Sequence, residues 1–243
     1  MTATAENPVV LVTGASRGLG REIARRFGRA GWNVVVNCVR SVEAAEAAAD
    51  EIRETGSDAV VVQADVAEPS APGRLIGTAT ERWGRLDCVV NNAAVARDDP
   101  LLRLSDADWD AVVATDLFAP MRLARRAGEA MPPRSSVVNV VSICGLWGCA
   151  GAPAYSAAKA ALAGFTQGAA AVFAARGLRI NAVAPGYLAT DMGAAAPAAM
   201  EAARAQHAMG TLSEPRAAAE FIVRLTQTPA ITGQVFVLDG RVR

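Results

Sequence analysis

Short apolar runs rich in β-branched residues alternate along this chain with longer, Ala-rich stretches that carry charged residues. Nearly continuous apolar runs are typical of parallel strands that are buried on both faces of a sheet. The pattern predicts seven strands, at Val9–Thr13, Asn33–Cys38, Ala59–Gln63, Asp87–Asn91, Ser136–Val141, Leu178–Val183 and Gln234–Leu238. It predicts helices between them, near Gly18–Ala30, Val42–Thr55, Pro72–Trp83, Asp106–Met131, Pro153–Arg176 and Pro215–Gln227.

This alternation is typical of βαβ units, so it predicts an α/β fold with a doubly wound parallel sheet and helices on both faces. We find no shift in composition, linker or repeat that would mark a second domain, and we expect residues 1–243 to form one. The segment Leu188–Ser213 differs, because it is rich in Ala, Pro, Met and Gly and poorly periodic. An insertion of this kind is usually a functional lid or a disordered loop, and we expect a substrate lid.

Composition narrows the class of protein. The 243 residues include 24 basic and 24 acidic side chains, so the formal charge is zero, whereas proteins that bind nucleic acids or membrane surfaces usually carry a basic excess. Hydrophobic residues make up 52% of the chain, which excludes global disorder. Met1–Pro8 lacks the features of a secretory signal, and no apolar stretch reaches the ~18 residues of a membrane span. We therefore expect a cytoplasmic protein.

The cysteines and the histidine limit the possible chemistry. The chain has four cysteines, Cys38, Cys88, Cys144 and Cys149, and one histidine, His207. Their spacing matches neither CxxC nor a zinc site, so we expect reduced thiols and no metal. A single histidine also argues against a Ser-His-Asp hydrolase, which needs an imidazole base beside its nucleophile.

A glycine-rich turn follows the first predicted strand and precedes a predicted helix. Its sequence is Thr13-Gly14-Ala15-Ser16-Arg17-Gly18-Leu19-Gly20. Backbone N–H groups and the positive end of a helix dipole bind a pyrophosphate at such turns, and glycine lets the phosphate approach. A purely structural turn would also use glycine. The order of strand, turn and helix nevertheless predicts a Rossmann-type dinucleotide site that includes Gly14, Ser16, Arg17, Gly18, Leu19 and Gly20.

The end of the second predicted strand indicates which dinucleotide binds. An NAD enzyme places an acid there to hold the ribose 2′-hydroxyl, but Asn37 and Arg40 stand in this stretch and the first acid is Glu43. Guanidinium groups at Arg17 and Arg40 would pair with a 2′-phosphate. The sequence therefore predicts NADP(H), with Asn37 and Arg40 in the site. In the alternative interpretation, both arginines are ordinary surface charges.

Candidate catalytic residues follow the fifth predicted strand. Ser142 stands at its end, and the next long helix carries Tyr155 and Lys159. Residues four apart lie on the same face of a helix, so the Lys159 ammonium can lie near the Tyr155 phenol. Together with the positive charge of an oxidised nicotinamide, it would lower the pKa of that phenol. In carbonyl reduction Tyr155 would donate a proton, Ser142 would polarise the carbonyl, and Lys159 would also reach the nicotinamide ribose.

These motifs together resemble the short-chain dehydrogenase/reductase superfamily, and within it the 3-oxoacyl-(acyl-carrier-protein) reductases and related ketoreductases. The resemblance covers essentially the whole chain. Its motifs are the glycine turn, Asp65-Val66, Asn91-Asn92-Ala93-Ala94, Ser142 with Tyr155-Ser156-Ala157-Ala158-Lys159, and Pro185-Gly186 followed by Thr190-Asp191-Met192. The resemblance implies further cofactor-binding residues at Asp65, Val66, Asn91, Ala93, Pro185, Gly186, Leu188 and Thr190.

Two positions depart from the family pattern. Ala94 replaces a glycine and narrows the pocket by one methyl group. Asp116 stands where the family has the Asn of its catalytic tetrad, whose main-chain carbonyl holds a water that relays protons to the lysine. The carbonyl would remain in an aspartate, so we include Asp116 among the catalytic residues, although its charge would oppose a tyrosinate.

The residues expected to face the substrate are apolar: Val95, Leu146, Trp147, Tyr187 and Met192. Without a cation to bind a carboxylate, this set favours a neutral ketone or a thioester-linked 3-oxoacyl chain. Trp147 is equally well explained as a core or subunit-contact residue. Arg134 and Arg176 resemble positions at which carrier-protein reductases dock an acidic acyl carrier, although solvated helix ends explain them as well.

The long helix that carries Tyr155 also bears on assembly. Phe165–Ala175 contains no charged residue, and a helix that is apolar nearly all round needs cover on more than one side. A symmetric partner would supply it, so we expect a homotetramer, with a dimer as the second choice.

Three functions are compatible with these residues. The first is NADPH-dependent reduction of a ketone of fatty-acyl or polyketide type. The second is oxidation of a secondary alcohol by the same site, because the chemistry is reversible. The third is a non-catalytic NADP(H)-binding sensor, for which Asp116 is the only support.

Overall fold

The computed structural model describes residues 7–190 and 197–241. Within these ranges, seven strands form one parallel sheet in the order β3-β2-β1-β4-β5-β6-β7. The strands are β1 (Val9–Val12), β2 (Asn33–Cys38), β3 (Ala59–Gln63), β4 (Cys88–Asn91), β5 (Ser136–Val140), β6 (Arg179–Ala184) and β7 (Val235–Val237). The predicted fold class is confirmed, and each strand lies within two residues of its predicted bounds.

Helices connect the strands and cover the sheet. In the described residues they are α1 (Gly18–Arg29), α2 (Val42–Arg53), α3 (Ala71–Trp83), α4 (Asp106–Val113), α5 (Ala119–Ala130), α6 (Ile143–Trp147), α7 (Pro153–Ala175), α8 (Pro197–Gln206) and α9 (Pro215–Gln227). A π-helical turn at Ala114–Phe118 joins α4 to α5, so the single helix predicted over Asp106–Met131 is interrupted. The short helix α6 and the lid helix α8 were not predicted.

Alternate residues of each central strand point to opposite faces of the sheet, and both faces are covered. In β1, Val10 and Val12 pack with α1, α2 and α9, whereas Val9 and Leu11 pack with α3 and α5 and with Phe173 of α7. All four residues of β1 are fully buried. Burial on both faces explains why the strand sequences are continuously apolar rather than alternating.

The chain reverses its direction of winding between β1 and β4, which are neighbours at the centre of the sheet. Open parallel sheets bind ligands outside the carboxyl ends of their strands at such a reversal. The glycine turn follows β1, the Asn91-Asn92 motif ends β4, and Ser142 lies just beyond β5. The topology therefore brings the predicted motifs to one edge of the sheet.

The predicted lid, Leu188–Ser213, has more order than its sequence pattern suggested. Its two ends form a bridge between Leu188 and Ser213, and α8 lies between them. A second bridge joins His207 to Arg241 near the C-terminus. Residues 191–196 lie outside the described residues, so the action of this segment as a lid stays a prediction, as does the assignment of residues 1–243 to one domain.

Candidate active site

The glycine turn forms a cradle that is packed too closely against its neighbours to accept side chains at two of its glycines. Gly14 and Gly18 have φ angles of +63° and +55°, in the left-handed region that favours glycine. A Cβ on Gly20 would lie 2.3 Å from the Gly14 carbonyl oxygen, and one on Gly14 would lie 2.9 Å from the Ala93 Cα. The first turn of α1 contains no acidic residue, and no side chain caps its N–H groups. An anion can therefore approach these groups closely.

Two polar side chains that the sequence analysis did not single out hold this cradle. The Thr13 hydroxyl accepts hydrogen bonds from the main-chain N–H groups of Asn92 (2.9 Å) and Ala93 (3.0 Å). The Asn92 side chain donates to the carbonyls of Thr13 (2.9 Å) and Gly14 (3.2 Å). Both residues belong to motifs named in the sequence analysis, and membership in those motifs was the signal that could have identified them. Together they fasten the end of β4 to the turn.

Asn37 lies beneath the turn rather than in an open cleft. Its side chain is fully buried, accepts from Gly14 N–H (3.2 Å) and donates to the carbonyls of Val62 (3.2 Å) and Ala64 (2.9 Å). The side chain thus joins the ends of β2 and β3 to the turn. These hydrogen bonds use both the oxygen and the nitrogen of the side-chain amide. The contact with the cofactor that the sequence predicted for Asn37 therefore stays a prediction.

The two arginines predicted to hold a 2′-phosphate are available to do so. Arg17 and Arg40 are exposed, and neither forms an ion pair with another described residue. Arg17 directly precedes α1, and Arg40 lies two residues beyond the end of β2.

A buried chain of hydrogen bonds fixes the centre of the site. Asn91 donates to the Asn139 side chain (2.8 Å), Asn139 donates to the Thr166 hydroxyl (2.9 Å), and that hydroxyl donates to the Leu162 carbonyl (2.8 Å). This chain connects β4, β5 and α7. Asn91 also lines a small cavity together with Val66 and Ala93, which are predicted cofactor residues, and with residues of the adjoining helix. The cavity is lined by Thr13, Val66, Asn91, Ala93, Thr115, Ala119, Pro120 and Leu123.

Two further predicted cofactor segments end at the same edge. The Asp65 carboxylate accepts from Ala67 N–H (2.9 Å), which fixes the turn after β3. Gly186, in the Pro185-Gly186 turn after β6, has a φ of +79°, and a Cβ there would lie 2.6 Å from the Ser213 hydroxyl. Thr190 lies opposite the glycine turn, because a Cβ on Gly18 would be 3.7 Å from the Thr190 Cβ. The first and last motifs therefore face each other.

Ser142, Tyr155 and Lys159 are brought together as predicted. Ser142 caps α6, and its hydroxyl accepts from Cys144 N–H (3.2 Å). The Lys159 Nζ donates to the Val140 carbonyl at 3.1 Å and lies 5.6 Å from the centroid of the Tyr155 ring. Lys159 is 2% exposed, whereas Tyr155 is partly exposed.

Asp116 forms a buried ion pair with Lys159. Its Oδ2 lies 3.3 Å from the Lys159 Nζ, and the two side chains are 0% and 2% exposed. Its Oδ1 accepts from Val95 N–H at 2.9 Å, which ties the segment after β4 to the π-helical turn. Burial raises the pKa of Asp116, and Lys159 opposes that change. Burial alone would lower the pKa of Lys159, but Asp116 and then Tyr155 outweigh it and raise that pKa.

Lys159 lowers the pKa of Tyr155 as expected, but in the free protein burial outweighs this effect. The further effect expected from an oxidised nicotinamide stays a prediction. Burial raises the pKa of the phenol above its ordinary value, and the negative charges of Asp116 and Asp98 raise it further. Lys159 and a hydrogen bond with Ser142 lower it, but not enough to compensate. Helical spacing predicted the proximity of Tyr155 to Lys159, and the opposing charge of Asp116 was also expected, but the burial of the phenol was not predicted.

The expectation of four reduced cysteines is wrong. Cys144 and Cys149 form a disulfide, with their Cα atoms 4.9 Å apart, while Cys38 and Cys88 are free and buried. The helical turn α6 and Gly148, whose φ is +75°, return the chain so that the two sulfurs meet. The spacing of Cys144 and Cys149 matches neither a metal site nor a CxxC motif, so the sequence pattern did not indicate this disulfide.

The predicted substrate residues lie on several sides of the crevice. Val95, like Tyr155, packs against the buried cluster of Val112, Ala154 and Ala158. Leu146 is 38% exposed on α6. The Trp147 ring lies under the Arg241 guanidinium, 5.7 Å from its carbon. Burial and then the charge of Asp98 raise the pKa of Tyr187. Met192 lies outside the described residues.

The two arginines considered for carrier docking lie far from this site. Arg134 precedes β5 and Arg176 follows α7, so both stand at the amino edge of the sheet. At a rise of ~1.5 Å per residue, Arg176 lies about 30 Å along α7 from Tyr155. Arg176 instead donates to the Glu129 carbonyl (3.3 Å). This placement favours the alternative, solvated helix ends.

No group of three or more metal-ligating side chains occurs in residues 7–190 and 197–241. Over the same ranges, every helix is too short or too polar to cross a membrane.

Comparisons with known proteins agree with this geometry. The family model for short chain dehydrogenase matches residues 8–201. A 3-oxoacyl-(acyl-carrier-protein) reductase from Synechocystis sp. is 39% identical over 237 residues, which cover 96% of this chain and 95% of that protein.

Solved structures give the same result. A short chain dehydrogenase from Burkholderia cenocepacia in complex with NADP has a TM-score of 0.93 and 31% identity, over 98% of this chain and 99% of its own. The angucycline C-6 ketoreductase LanV with bound NADP has a TM-score of 0.90 and 30% identity, over 96% and 95% of the two chains. The chain therefore belongs to the short-chain dehydrogenase family and is an oxidoreductase acting on CH–OH and C=O groups.

Proposed function

We propose that this protein reduces a ketone to a secondary alcohol with NADPH, and that Tyr155 donates the proton. The observation that carries the proposal is the arrangement around Lys159. Its ammonium is buried between the Tyr155 ring, the Val140 carbonyl and Asp116, and Ser142 lies within reach of the same phenol.

The described residues fit NADP(H). The glycine cradle presents the uncapped start of α1 to a pyrophosphate, and a Cβ at Gly14 or Gly20 would clash with the surrounding protein and distort the turn. Arg17 and Arg40 are exposed near the end of β2, where no acid stands before Glu43, and they would hold the 2′-phosphate. When bound, the cofactor supplies the hydride. Its nicotinamide end would lie between the Asn91 motif and the Pro185–Thr190 turn.

Each catalytic side chain then has a defined task. The raised pKa of Tyr155 keeps the phenol protonated at neutral pH, as a proton donor to the developing alkoxide must be. The Ser142 hydroxyl donates to the same oxygen and polarises the carbonyl. The charge of Lys159 stabilises the tyrosinate left after the transfer. Alcohol oxidation would use the same residues in reverse, with the tyrosinate as the proton acceptor.

The substrate proposed is a neutral ketone of 3-oxoacyl thioester or polyketide type. Val95, Leu146, Trp147 and Tyr187 offer apolar surface, and the charge of Asp98 acts on both Tyr155 and Tyr187. A carboxylate beside the reacting carbonyl would be repelled by that charge. The names of the Synechocystis reductase and of LanV indicate substrates of these two types for the relatives.

The substitution Tyr155→Phe tests the proposal, with Tyr187→Phe as matched control in a chain that has two tyrosines. Substrates would come from a panel of 3-oxoacyl thioesters, quinones and cyclic ketones, followed by NADPH oxidation. We expect Tyr155→Phe to lower kcat at least about 100-fold while NADPH affinity is unchanged. Tyr187→Phe should change KM and leave kcat within about threefold. Equal turnover in the Tyr155→Phe variant would refute the proposed proton donor, and a sensor without activity would show no turnover with any ketone.

We also propose that the protein works in the cytoplasm as a homotetramer, with a dimer as second choice. One face of α7 is exposed and lined by small or apolar residues, including Gly164, Gly168, Ala171 and Val172, and Val172 is 68% exposed. A second copy would cover this face. Sedimentation as a monomer at micromolar concentration would contradict the assembly.

A further inference from the structure

The Cys144–Cys149 disulfide lies between the two catalytic segments. Cys144 is two residues after Ser142, and Cys149 is six residues before Tyr155. Both cysteines are partly exposed, whereas Cys38 and Cys88 are buried. The bond closes the segment that carries Leu146 and Trp147, two predicted substrate contacts.

Main-chain hydrogen bonds connect each half of the disulfide to the catalytic residues. Cys144 N–H donates to the Ser142 hydroxyl at 3.2 Å, and Cys149 N–H donates to the hydroxyl of Ser156, the neighbour of Tyr155, at 3.2 Å. Between them, Gly145 packs against α7, where a Cβ would lie 2.6 Å from the Lys159 carbonyl carbon. A change in this segment therefore acts directly on Ser142 and on the start of α7.

The bond is placed to act locally rather than on global stability. It joins residues only five apart, and closing so short a loop restricts the unfolded chain less than closing a long one. In a reducing compartment, disulfides that do form are usually transient and either catalytic or redox-sensing.

We propose that Cys144 and Cys149 form a redox-active site, reversibly reduced by a dithiol, which sets how firmly the segment 143–152 holds the substrate. The consequence for turnover rests on the ketoreductase function proposed above; the thiol chemistry does not. Oxidised, the bond fixes α6 against Ser142 and α7. Reduced, α6 is held only by its hydrogen bonds and packing, and Leu146 and Trp147 are no longer fixed relative to Tyr155.

The chemistry balances with a dithiol as reductant. A thiolate of the dithiol attacks one sulfur of the pair, the Cys144–Cys149 bond breaks, and the other sulfur leaves as a thiolate. The second thiol of the reductant then attacks the mixed disulfide. Two electrons and two protons pass from the dithiol to the protein, and the reductant is oxidised to its own disulfide.

Cys38 and Cys88 provide an internal contrast. Burial raises the pKa of the Cys88 thiol to about 12, and burial followed by the charge of Glu46 raises the pKa of the Cys38 thiol. Neither thiol forms the reactive thiolate readily at neutral pH. Native thiol chemistry should therefore be confined to Cys144 and Cys149.

The first measurement counts thiols and maps them, using dithiothreitol as the probe on the native full-length chain. After oxidation with trans-4,5-dihydroxy-1,2-dithiane we expect no reactive thiols, and after dithiothreitol two, found by peptide mapping at Cys144 and Cys149. When the oxidant is added again, both thiols should disappear as the disulfide re-forms. A bond that dithiothreitol does not open in the folded protein, or thiols that do not re-form it, would overturn the proposal.

The second measurement compares hydrogen exchange and kinetics in the two states. On reduction, amide exchange in residues 143–152 should become about tenfold faster, while the glycine turn and NADPH affinity stay unchanged. For a ketone substrate, kcat/KM should fall about tenfold, chiefly through KM. Equal exchange and equal kinetics in both states would overturn the role given to the bond.

The double variant C144S/C149S serves as the control. It should behave as the reduced protein does and should not respond to dithiothreitol; a response would assign the effect to another site and overturn the proposal. If this variant does not fold, the redox titration of the natural chain still decides. If neither state reduces any ketone, the proposed function fails, whereas thiol mapping and exchange still test the redox site.

Discussion

The glycine turn and the segment 143–152 both adjoin the reaction site, but they are built differently. In the turn, backbone packs against backbone: a Cβ on Gly20 would lie 2.3 Å from the Gly14 carbonyl oxygen. The segment 143–152 is a short helix fixed by a disulfide and by two hydroxyl contacts, and it exposes Leu146. The cofactor side is therefore set by local geometry, whereas the substrate side depends on a few replaceable contacts.

This difference suits the two tasks. A cofactor of constant shape is best held by a preorganised backbone, because ordering the turn at each binding event would cost affinity. The substrate segment must admit and release different molecules. Loops that act in this way commonly have lower local stability than the elements around them.

The largest effect is expected for Gly20→Ala. Because the new Cβ would meet the Gly14 carbonyl and the Asn92 side chain, the cradle must open, and NADPH affinity should fall about 100-fold with a matching loss of activity. Fluorescence titration of NADPH measures this. Gly73→Ala, in α3 with nothing within 4 Å of its Cβ, is the control and should bind NADPH normally.

Gly145→Ala should separate the two regions. A Cβ there would lie 2.6 Å from the Lys159 carbonyl carbon and 2.7 Å from Ala160 N, so α6 and α7 must move apart. We expect kcat to fall about tenfold to 100-fold while NADPH affinity is retained. Loss of NADPH binding as well would show that the two regions are not independent.

Arg40→Asp should alter the choice of cofactor. The substitution removes a guanidinium near the 2′-phosphate and adds a repulsive charge, so the preference for NADPH over NADH, as a ratio of kcat/KM values, should fall about tenfold or more. Arg29→Asp makes the same charge change on the exposed last turn of α1 and should leave the ratio unchanged. An unchanged ratio in the Arg40 variant would mean that this residue is an ordinary surface charge.

Asp116→Asn should have the smallest effect at neutral pH, with kcat for reduction within about threefold of the natural protein. An amide oxygen can still accept from Val95 N–H. Burial is the largest cause of the raised pKa of Tyr155, and the charge of Asp116 adds to it, so a neutral side chain should lower that pKa. The acid limb of the rate–pH profile for alcohol oxidation should then move to lower pH. If the acid limb moved to higher pH, or if turnover collapsed, the carboxylate of Asp116 would have a catalytic role of its own.

The sequence predicted the sheet because the central strands are buried on both faces, so that the strand sequences are mostly apolar. It also predicted the cofactor turn, because the need for glycine at Gly14 and Gly18 is a local property of the backbone. The π-helical turn at Ala114–Phe118 left no such signal, since its residues are ordinary helix residues in a longer helical stretch. The disulfide was missed for a similar reason: α6 and Gly148 had to fold before Cys144 and Cys149 could meet.

What the sequence by itself determined was the α/β fold and the proximity of Tyr155 to Lys159, because these follow from burial pattern and helical spacing. The family came from the resemblance of its motifs. The tertiary structure decided the electrostatics of Tyr155 and Lys159. It buried the phenol, which is the largest cause that raises the pKa of Tyr155, and it placed Asp116, whose charge adds to that rise, 3.3 Å from Lys159. A pKa reflects every charge and every desolvated surface around a group, and those neighbours come from segments far apart in the chain.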